Sequence, residues 1–408
     1  MMLNLNNIKI AIASSKLEHV KRGVETWAKE TAQGLGERGF DVTLYKGSGN
    51  SHSDSVRTLP SIKGHTLFSQ RLMKMIPGFF WRIGMGNGEQ LEETTFAWNL
   101  IREARKERFD IIHTQDALVA HWLRLAVQWK FIPSQVILGH GTEEPFDFIR
   151  RFDYVQHLAP HHLKEASEKC GEHRGWFAIG NFVDTQKFKP FWDEGEVSLA
   201  MDRDHATEVQ LNKERSALRR AYGIPEDAFV ILSVAAVKAT HKRIDYLIRE
   251  VHRLLKLGHE HIFLAVAGST TPETQDITKL GRDLLGERVL FLQDQPAEKM
   301  PEVHQLADVF VLCSLKEMMP IALLEALATA TPAIVHKYPV EVWMIGDGGE
   351  CIDMRNEGAL AEAVTKYFRD DYRKDKALKA REHAVRHFSK EVILKEYVAM
   401  YEKILKMT

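Results

Sequence analysis

Two glutamates, Glu317 and Glu325, stand eight positions apart in LCSLKEMMPIALLEALATATPAIV, residues 312–335. A chain with 56 acidic residues offers that spacing by chance, so the setting has to carry the argument. The apolar run DVFVLCSL reads as a buried strand ending near Leu315. Pro320 suits the first turn of a following helix, where its missing N–H costs nothing. Ile321, Leu324 and Ala328 give that helix a packing face. Glu317 then falls in a loop at the carboxyl end of a strand and Glu325 inside the helix, both facing nearly the same crevice. Open α/β sheets bind ligands in such crevices. A carboxylate placed there can accept hydrogen bonds from two neighbouring sugar hydroxyls, each charge-assisted bond contributing about 1.5–3 kcal/mol.

The elements that must position this pair are legible as alternating apolar runs and amphipathic patterns. IKIAIA (8–13) is a strand, Val24–Glu37 a helix, and Asp41–Tyr45 a second strand, the opening unit of a doubly wound sheet. Residues 47–65 are polar and rich in Gly and Ser, and read as a loop. FDIIHTQDA (109–117) and SQVILGHG (134–141) are further strands with a histidine at or near their ends, and WFAIGNFVDTQKFKP (176–190) runs from a strand into a turn. The charged segment 191–215 reads as a linker or surface excursion. The rhythm then restarts with FVILSVAAV (229–237), the helix IDYLIREVHRLLKLG (244–258), and the strands IFLAVAGS, RVLFLQD, FVLCS, PAIVHK and GGECIDM. The last helix carries apolar residues at Val392, Leu394, Tyr397, Val398, Tyr401 and Leu405, and so packs against something. The expectation is an α/β protein of two Rossmann-like domains facing a cleft: residues 1–185 completed by the helix 390–408, and residues 186–389.

Composition narrows the function classes. A chain of 408 residues exceeds one ordinary core, and 44% hydrophobic with 27% charged residues describes a soluble globular protein. Lys+Arg 55 against Asp+Glu 56 gives a formal charge of −1, without the footprint of a nucleic-acid binder. Cys170, Cys313 and Cys351 are scattered without metal-ligand spacing and suit a reducing compartment. The start, MMLNLNNIKIAIASS, has no signal-type pattern and no apolar run reaches membrane-spanning length, so a cytoplasmic protein is expected.

Four stretches in order, RGVE (22–25), GNFVDTQKF (180–188), SVAAVKATHKRIDYLI (233–248) and the Glu317–Glu325 segment, resemble glycosyltransferase family 4 over nearly the whole chain. The resemblance implies a GT-B fold and retaining, metal-independent transfer from a nucleotide-diphosphate sugar, a UDP- or GDP-sugar, to a saccharide or lipid-linked acceptor. It assigns Lys242, just before IDYLI, to the diphosphate. The family's accompanying arginine is missing at Val237, and Lys238 stands one position on, without the bidentate fork of Arg. The same KATHKR run also reads as a solvated charge run at a helix start. Glu325 is assigned to the ribose hydroxyls and Glu317 to the donor sugar; the alternative is a buried helix with one salt-bridged Glu. Where the family has a glycine-containing loop, Met318 and Met319 can still offer backbone N–H groups, whereas Pro320 cannot donate.

On the amino-terminal side Gly23 matches the second glycine of the family's Gly-Gly loop, which lets backbone approach the donor phosphates or the acceptor closely, and Arg22 replaces the first, either adding a positive charge to the cleft or standing solvated. Gln115 stands where the family has a histidine; it can hydrogen-bond a hydroxyl but not act as a charged acid or base. His113 is a cleft residue or a structural strand-end histidine, and His140 a cleft residue or a packed one. Asn181 and Asp184 are read as structuring the turn between domains. The segment TLFSQRLMKMIPGFFWRIG (66–84) suits an anionic membrane or lipid-linked acceptor, giving peripheral placement at the inner membrane face, or else packs the amino-terminal domain. Asp202-Arg203-Asp204 has the spacing of a metal motif but lies in the charged excursion, and no metal or other cofactor is expected. Two rivals stand beside the transferase: a sugar-nucleotide-binding protein of reduced activity, and a nicotinamide-dependent oxidoreductase, against which the absence of Gly-x-Gly-x-x-Gly after the first strand argues.

Overall fold

The computed structural model describes residues 8–17, 23–49, 53–64, 66–75, 84–191 and 205–407. The chain divides into two compact units, Met1–Asn181 with Ile393–Thr408, and Phe182–Val392. In the first unit β1 (Lys9–Ser14), α1 (Gly23–Gly36), β2 (Asp41–Lys46) and β3 (Val56–Thr58) are followed by α2 (Leu67–Met75) and α3 (Gly88–Glu107). Then come β4 (Ile111–Thr114), α4 (Ala117–Gln128), β5 (Gln135–His140), α5 (Phe146–Ile149), β6 (Tyr154–His157), α6 (Pro160–Cys170) and β7 (Trp176–Ala178). The seven strands are parallel in the order β3-β2-β1-β4-β5-β6-β7, so the order reverses between β1 and β4. A parallel sheet is covered on both faces, which is why β1 is a continuous apolar run with Ile10, Ala11, Ile12 and Ala13 all buried.

Two strands escape the sequence pattern. Residues 47–65 are not loop throughout: Val56–Thr58 pairs with β2 as a half-buried edge strand too short to show alternation. In β6 only Val155 is apolar and fully buried, and Gln156 and His157 are buried with it through polar contacts.

The second unit contains α7 (His205–Ala221), β8 (Phe229–Val234), α8 (Ile244–Lys256), β9 (Ile262–Gly268), α9 (Thr274–Leu285), β10 (Val289–Gln293), α10 (Met300–Gln305) and β11 (Val309–Leu312). It continues with α11 (Ile321–Ala328), β12 (Ala333–His336), α12 (Pro339–Ile345), β13 (Gly349–Ile352), α13 (Ala359–Lys366) and α14 (Asp370–Phe388). The parallel order β10-β9-β8-β11-β12-β13 reverses between β8 and β11. The linker reading of 191–215 is corrected in part: residues from His205 onward form α7, while 192–204, with the Asp202-Arg203-Asp204 spacing, lie outside the described residues.

The closing helix α15 (Lys390–Met407) contributes its residues from Ile393 onward to the first unit. Its buried stripe is Ile393, Leu394, Tyr397, Met400, Tyr401 and Ile404, with Val392, Val398 and Leu405 only half-buried, a rotation of the face expected from sequence. The Tyr397 hydroxyl accepts from Trp27 Nε1 at 2.9 Å and Gln156 Nε2 at 3.1 Å, and the Tyr401 hydroxyl lies 2.9 Å from His113 Nδ1. Among the described residues no helix is long and apolar enough to cross a membrane.

The amino ends of β8 and β11 are joined by one buried carboxylate. Asp308 Oδ2 accepts from Val230 N–H at 2.7 Å and from Arg219 Nη2 at 2.6 Å, and Oδ1 lies 3.1 Å from Arg215 Nη2 and 3.7 Å from Arg373 Nε. Burial alone would raise this carboxyl, but Arg215, Arg219 and Arg373 together hold it below its usual value. Asp308→Asn leaves three guanidinium groups facing a neutral amide and is expected to cost about 3 kcal/mol, read as a lower urea midpoint at unchanged m. Because the folded carboxyl is held low, its stabilisation is complete at neutral pH. It fades in wild type as pH falls from about 4 through the folded value, and the Asn variant lacks that component.

Candidate functional site

The loop after β8 carries both predicted lysines. Its backbone turns sharply, with His241 at φ 70 and Arg243 at φ 52, both left-handed and both non-glycine. The Glu273 carboxylate holds it, accepting from the Ala239 and Thr240 N–H groups at 3.0 Å each, and those bonds with Thr240 and Ala239 draw the carboxyl below its usual range. Gly268 permits the loop to lie close: a Cβ there would sit 1.8 Å from the Ala235 carbonyl oxygen. Val237, where the family arginine is missing, is wholly buried in the apolar core, and its carbonyl accepts from Thr274 Oγ1 at 2.9 Å and Thr271 Oγ1 at 3.0 Å. Lys238 is half-buried and its ammonium makes no hydrogen bond or ion pair among the described residues.

Lys242 reaches across the point where strand order reverses. Its Nζ lies 2.5 Å from Glu317 Oε1, the two side chains being 20% and 10% exposed. A second tie runs beside it, from His241 Nε2 to the Lys316 carbonyl at 3.0 Å. Thus the loop after β8 and the loop after β11 are joined at the carboxyl ends of the two strands, where an open sheet takes its ligand.

Pro320 sits at the N-cap of α11, one position earlier than the first-turn place its chemistry suggested. Met318 is half-buried and Met319 buried. Glu325, in the second turn, is engaged by a residue that sequence reasoning missed: His304 on α10, wholly buried, with Nε2 3.1 Å from Glu325 Oε2. The His304 ring stands against Phe188 and Phe310, which fixes its plane. No spacing rule ties a histidine on α10 to a glutamate on α11, so only the packing of α10 on α11 shows the pair. A third carboxyl was also missed. Glu341, on α12, is wholly buried, and burial above all, with a smaller push from the Glu317 charge, raises it to about 8 against the opposing pull of a backbone N–H and of Lys242. A lone glutamate in the apolar turn PVEVWMI was its signal.

In the first unit Gly23 opens α1, and Arg22 lies outside the described residues. Gln115 is buried, and Gly139 and Gly141 make its space: a Cβ at 139 would meet Gln115 Cγ at 2.5 Å, and one at 141 would meet Oε1 at 2.7 Å. Its Nε2 has no hydrogen-bond partner among the described residues. His113 is not presented to any ligand; it is fully buried among Trp27, Tyr397 and Tyr401, and burial holds it down to about 3. His140 is buried too, its Nδ1 3.0 Å from His157 Nδ1, so one ring must donate and the other accept. Asn181 is buried, and Asp184 Oδ1 accepts from the Gln186 and Lys187 N–H groups at 3.0 Å each.

Where the order of the first sheet reverses, another charged cluster appears that the sequence did not flag. Asp116 Oδ2 accepts from Ser15 N–H at 2.6 Å, and Lys16 Nζ lies 2.9 Å from Glu93 Oε1. Burial and the Asp116 charge push Glu93 up to about 7 against the pull of Lys16. Of residues 66–84, 76–83 lie outside the described residues; on α2 Leu67, Phe68 and Met75 are exposed beside an exposed Arg71 rather than packed inward. Among the described residues no group of three or more His, Cys, Asp or Glu is arranged to hold a metal ion.

Comparison with known proteins adds the following. A family model described as glycosyl transferases group 1 matches residues 214–385, and one described as glycosyltransferase family 4 matches residues 21–174. The N-acetyl-alpha-D-glucosaminyl L-malate synthase of Bacillus anthracis is 26% identical over 203 residues, 48% of this chain and 51% of that protein. The D-inositol 3-phosphate glycosyltransferase of Corynebacterium diphtheriae is 28% identical over 411 residues, 94% of this chain and 91% of that protein. With the first of these, as with several other curated relatives, the chain spans about half the relative's length. Sucrose-phosphate synthase from Thermosynechococcus elongatus superposes with a TM-score of 0.74 at 16% identity, over 98% of this chain and 100% of that one. HepE of Anabaena in complex with UDP-glucose gives 0.71 at 13% identity, over 98% and 100%. At such identities the likeness is one of fold: both units are parallel-sheet α/β domains of the GT-B type.

The Lys242–Glu317 contact is testable without any ligand. A double-mutant cycle of Lys242→Ala and Glu317→Ala in urea unfolding is expected to give a coupling of about 1 kcal/mol, the pair being neither fully exposed nor dry. A coupling of zero means that the two loops are not joined as described.

Proposed function

The chain belongs to glycosyltransferase family 4, and from that premise we propose that it moves a hexose-type sugar from a nucleotide-diphosphate sugar to a hydroxyl of a saccharide or glycolipid, with retention and without a metal. The observation that carries the reading is the meeting of Lys242 with Glu317 at the carboxyl ends of β8 and β11. Lys242, with Lys238 on the same loop, receives the diphosphate and balances the charge that grows as it leaves. Glu325, its carboxylate oriented by His304, accepts from the ribose hydroxyls, and Glu317 accepts from the donor sugar. The bond from the anomeric carbon to phosphate breaks with its electron pair on the phosphate oxygen. The acceptor oxygen bonds the same carbon on the same face, and its proton passes to the departing phosphate. The products are the new glycoside and a nucleoside diphosphate.

The reading is supported by two family models that between them cover most of the chain. The Anabaena HepE structure holds UDP-glucose, which makes UDP the first nucleotide to try. Calorimetric titration with UDP, GDP and ADP is expected to find one binder, and Glu325→Ala to weaken it roughly tenfold to a hundredfold, the loss of charged hydrogen bonds of about 1.5–3 kcal/mol. Absence of binding, or an unaffected mutant, removes the assignment of α11. A protein that binds but never releases nucleotide in the presence of any acceptor is instead the sugar-nucleotide-binding protein of reduced activity. Val237 and Gln115 in place of family residues motivate that alternative.

The exposed apolar residues of α2 favour a lipid-linked acceptor or an anionic bilayer as the surroundings of the first unit. Replacing Leu67, Phe68 and Met75 by Ser is expected to lower co-sedimentation with vesicles rich in anionic lipid. Equal sedimentation of wild type and variant would leave α2 with no membrane role.

A further inference from the structure

At the amino ends of the first sheet's strands lies a basic cavity that the transfer chemistry does not use. It measures about 540 Å³ and is formed by the last turns of α3 and α4, where the chain enters β4 and β5. Arg105, Arg108 and Lys130 supply its charge, and Val127, Ile132 and Pro133 give it an apolar wall beside the exposed ring of Phe131. Among the described residues no carboxylate lines it, and none of the three cations has a side-chain hydrogen bond or ion pair. The carboxylates nearest in sequence are engaged elsewhere: Glu103 with Lys106 at 2.7 Å, Glu107 with Arg57 of β3 at 2.8 Å, and Asp110 with the Lys9 N–H at 2.8 Å.

Two of these cations occupy places that glycine ordinarily takes. Arg108, at φ 55, ends α3 with its N–H on the Ala104 carbonyl at 2.9 Å. Lys130, at φ 57, ends α4 with its N–H on the Val127 carbonyl at 2.9 Å, and the Phe131 N–H reaches the Ala126 carbonyl at 2.8 Å. A left-handed residue at a helix end is usually glycine, because a Cβ is strained there. Cations do suit a helix C-terminus, whose carbonyls carry partial negative charge. Side chains turned to solvent would serve that attraction equally, so it does not account for three unpaired cations around one cavity with an apolar wall.

The surface around the cavity is aromatic as well as basic. Trp129 is 60% and Phe131 53% exposed, their rings edge to face with centroids 6.1 Å apart. On α3 Trp98, Arg102 and Arg105 stand at i, i+4 and i+7, all exposed, so one face of that helix continues the pattern. Trp98 in turn meets Trp122 of α4 edge to face at 5.9 Å. A soluble phosphate would engage the cations and leave the rings in water, and an apolar protein face would cover the rings and leave the cations unpaired. Tryptophan beside arginine and lysine suits the boundary of a bilayer, where rings lie at headgroup level and cations meet lipid phosphate.

We propose that this surface docks on a bilayer of anionic phospholipid, the lipid phosphate entering the cavity between Arg105, Arg108 and Lys130 while Trp129 and Phe131 lie among the upper acyl chains. The surface is separate from α2, which follows the carboxyl end of β3, and the proposal rests neither on α2 nor on the transferase reading.

The experiment is co-sedimentation of the full chain with phosphatidylcholine vesicles made with and without phosphatidylglycerol. Wild type is expected to sediment only with the anionic vesicles, and less as salt rises from about 0.05 to about 0.5 M. Arg108→Gly combined with Lys130→Gly removes two charges from positions whose backbone suits glycine. Its Tm is expected to stay close to that of wild type, relieved strain offsetting the freer unfolded chain. Its partition onto anionic vesicles is expected to fall about thirtyfold, about fivefold for each cation. Trp129→Ser combined with Phe131→Ser is expected to weaken partition about tenfold or more while leaving its salt dependence unchanged. Equal sedimentation of wild type and the glycine pair overturns the proposal, as does equal binding to neutral and anionic vesicles. Calorimetric binding of glycerol phosphate without vesicle binding identifies a soluble ligand and also overturns it. So does self-association by light scattering in a chain that leaves vesicles alone, since the occupant is then a second copy. Should a variant not fold, wild type alone decides: anionic-vesicle binding that high salt abolishes supports the proposal, and salt-insensitive binding overturns it.

Discussion

The second sheet depends on the buried Asp308 carboxylate at the foot of β8 and β11. Arg219 gives Asp308 one hydrogen bond and also donates to the carbonyls of Leu306, Ala228 and Glu226, in the segments that lead into the two strands. One guanidinium and one carboxylate thereby set the register Val309↔Ile231 and Phe310↔Leu232. A slip of one residue along a strand moves the chain by about 3.3 Å and turns every side chain to the other face. A contact of 2.5 Å between Lys242 and Glu317 at the far ends of the same strands cannot survive such a slip. The interaction is thus remote from the site and still decides whether the site exists.

At the carboxyl ends the constraint is different, because the chain must leave β8 and β11 in opposite directions. The vacated wedge would be open backbone were the loops not held, and short polar ties hold them: Glu273 under the Ala239–Thr240 turn, and His241 on the Lys316 carbonyl. The first unit also uses carboxylates on backbone N–H groups. Asp110 Oδ2 accepts from Lys9 N–H at 2.8 Å at the foot of β4, and Asp116 Oδ2 accepts from Ser15 N–H at its head, so both ends of β4 are tied to β1 by carboxylates. Asp110 is exposed and pairs with no arginine among the described residues, so that foot contributes less than Asp308 does.

The sequence made legible what repeats with a period and hid what depends on pairing across the fold. Long buried strands such as Ile262–Gly268 and the amphipathic helix Ile244–Lys256 declare themselves, because each is several residues of one pattern. Val56–Thr58 and Tyr154–His157 do not, one being three half-buried residues at an edge and the other burying a glutamine and a histidine. The face of α15 keeps Leu394, Tyr397 and Tyr401 but buries Ile393, Met400 and Ile404 in place of Val392, Val398 and Leu405. At the site, Glu317 and Glu325 could be singled out by their place in the loop and helix after an apolar strand, and Lys242 by the family resemblance of the stretch before IDYLI. His304 could not, since it acquires its meaning only from a neighbour on another helix, whereas Glu341 left a signal as a lone glutamate in an apolar turn.

Val237 shows how packing can dictate a departure from a family pattern. A cation at that position would have to lie within a cluster that includes Ile244, Leu247 and Ile277, under a carbonyl already bonded by two threonine hydroxyls. Burial of an unpaired charge there would cost more than any phosphate contact returns, so the sequence keeps valine and carries its cation at 238, where the side chain is half-buried. Displacement by one residue changes what the charge can do. An ammonium on a flexible stem follows a phosphate as a point charge and gives up the two-pronged geometry of a guanidinium. In the proposed reading, orientation of a diphosphate then falls to the cation that is fixed, Lys242 against Glu317.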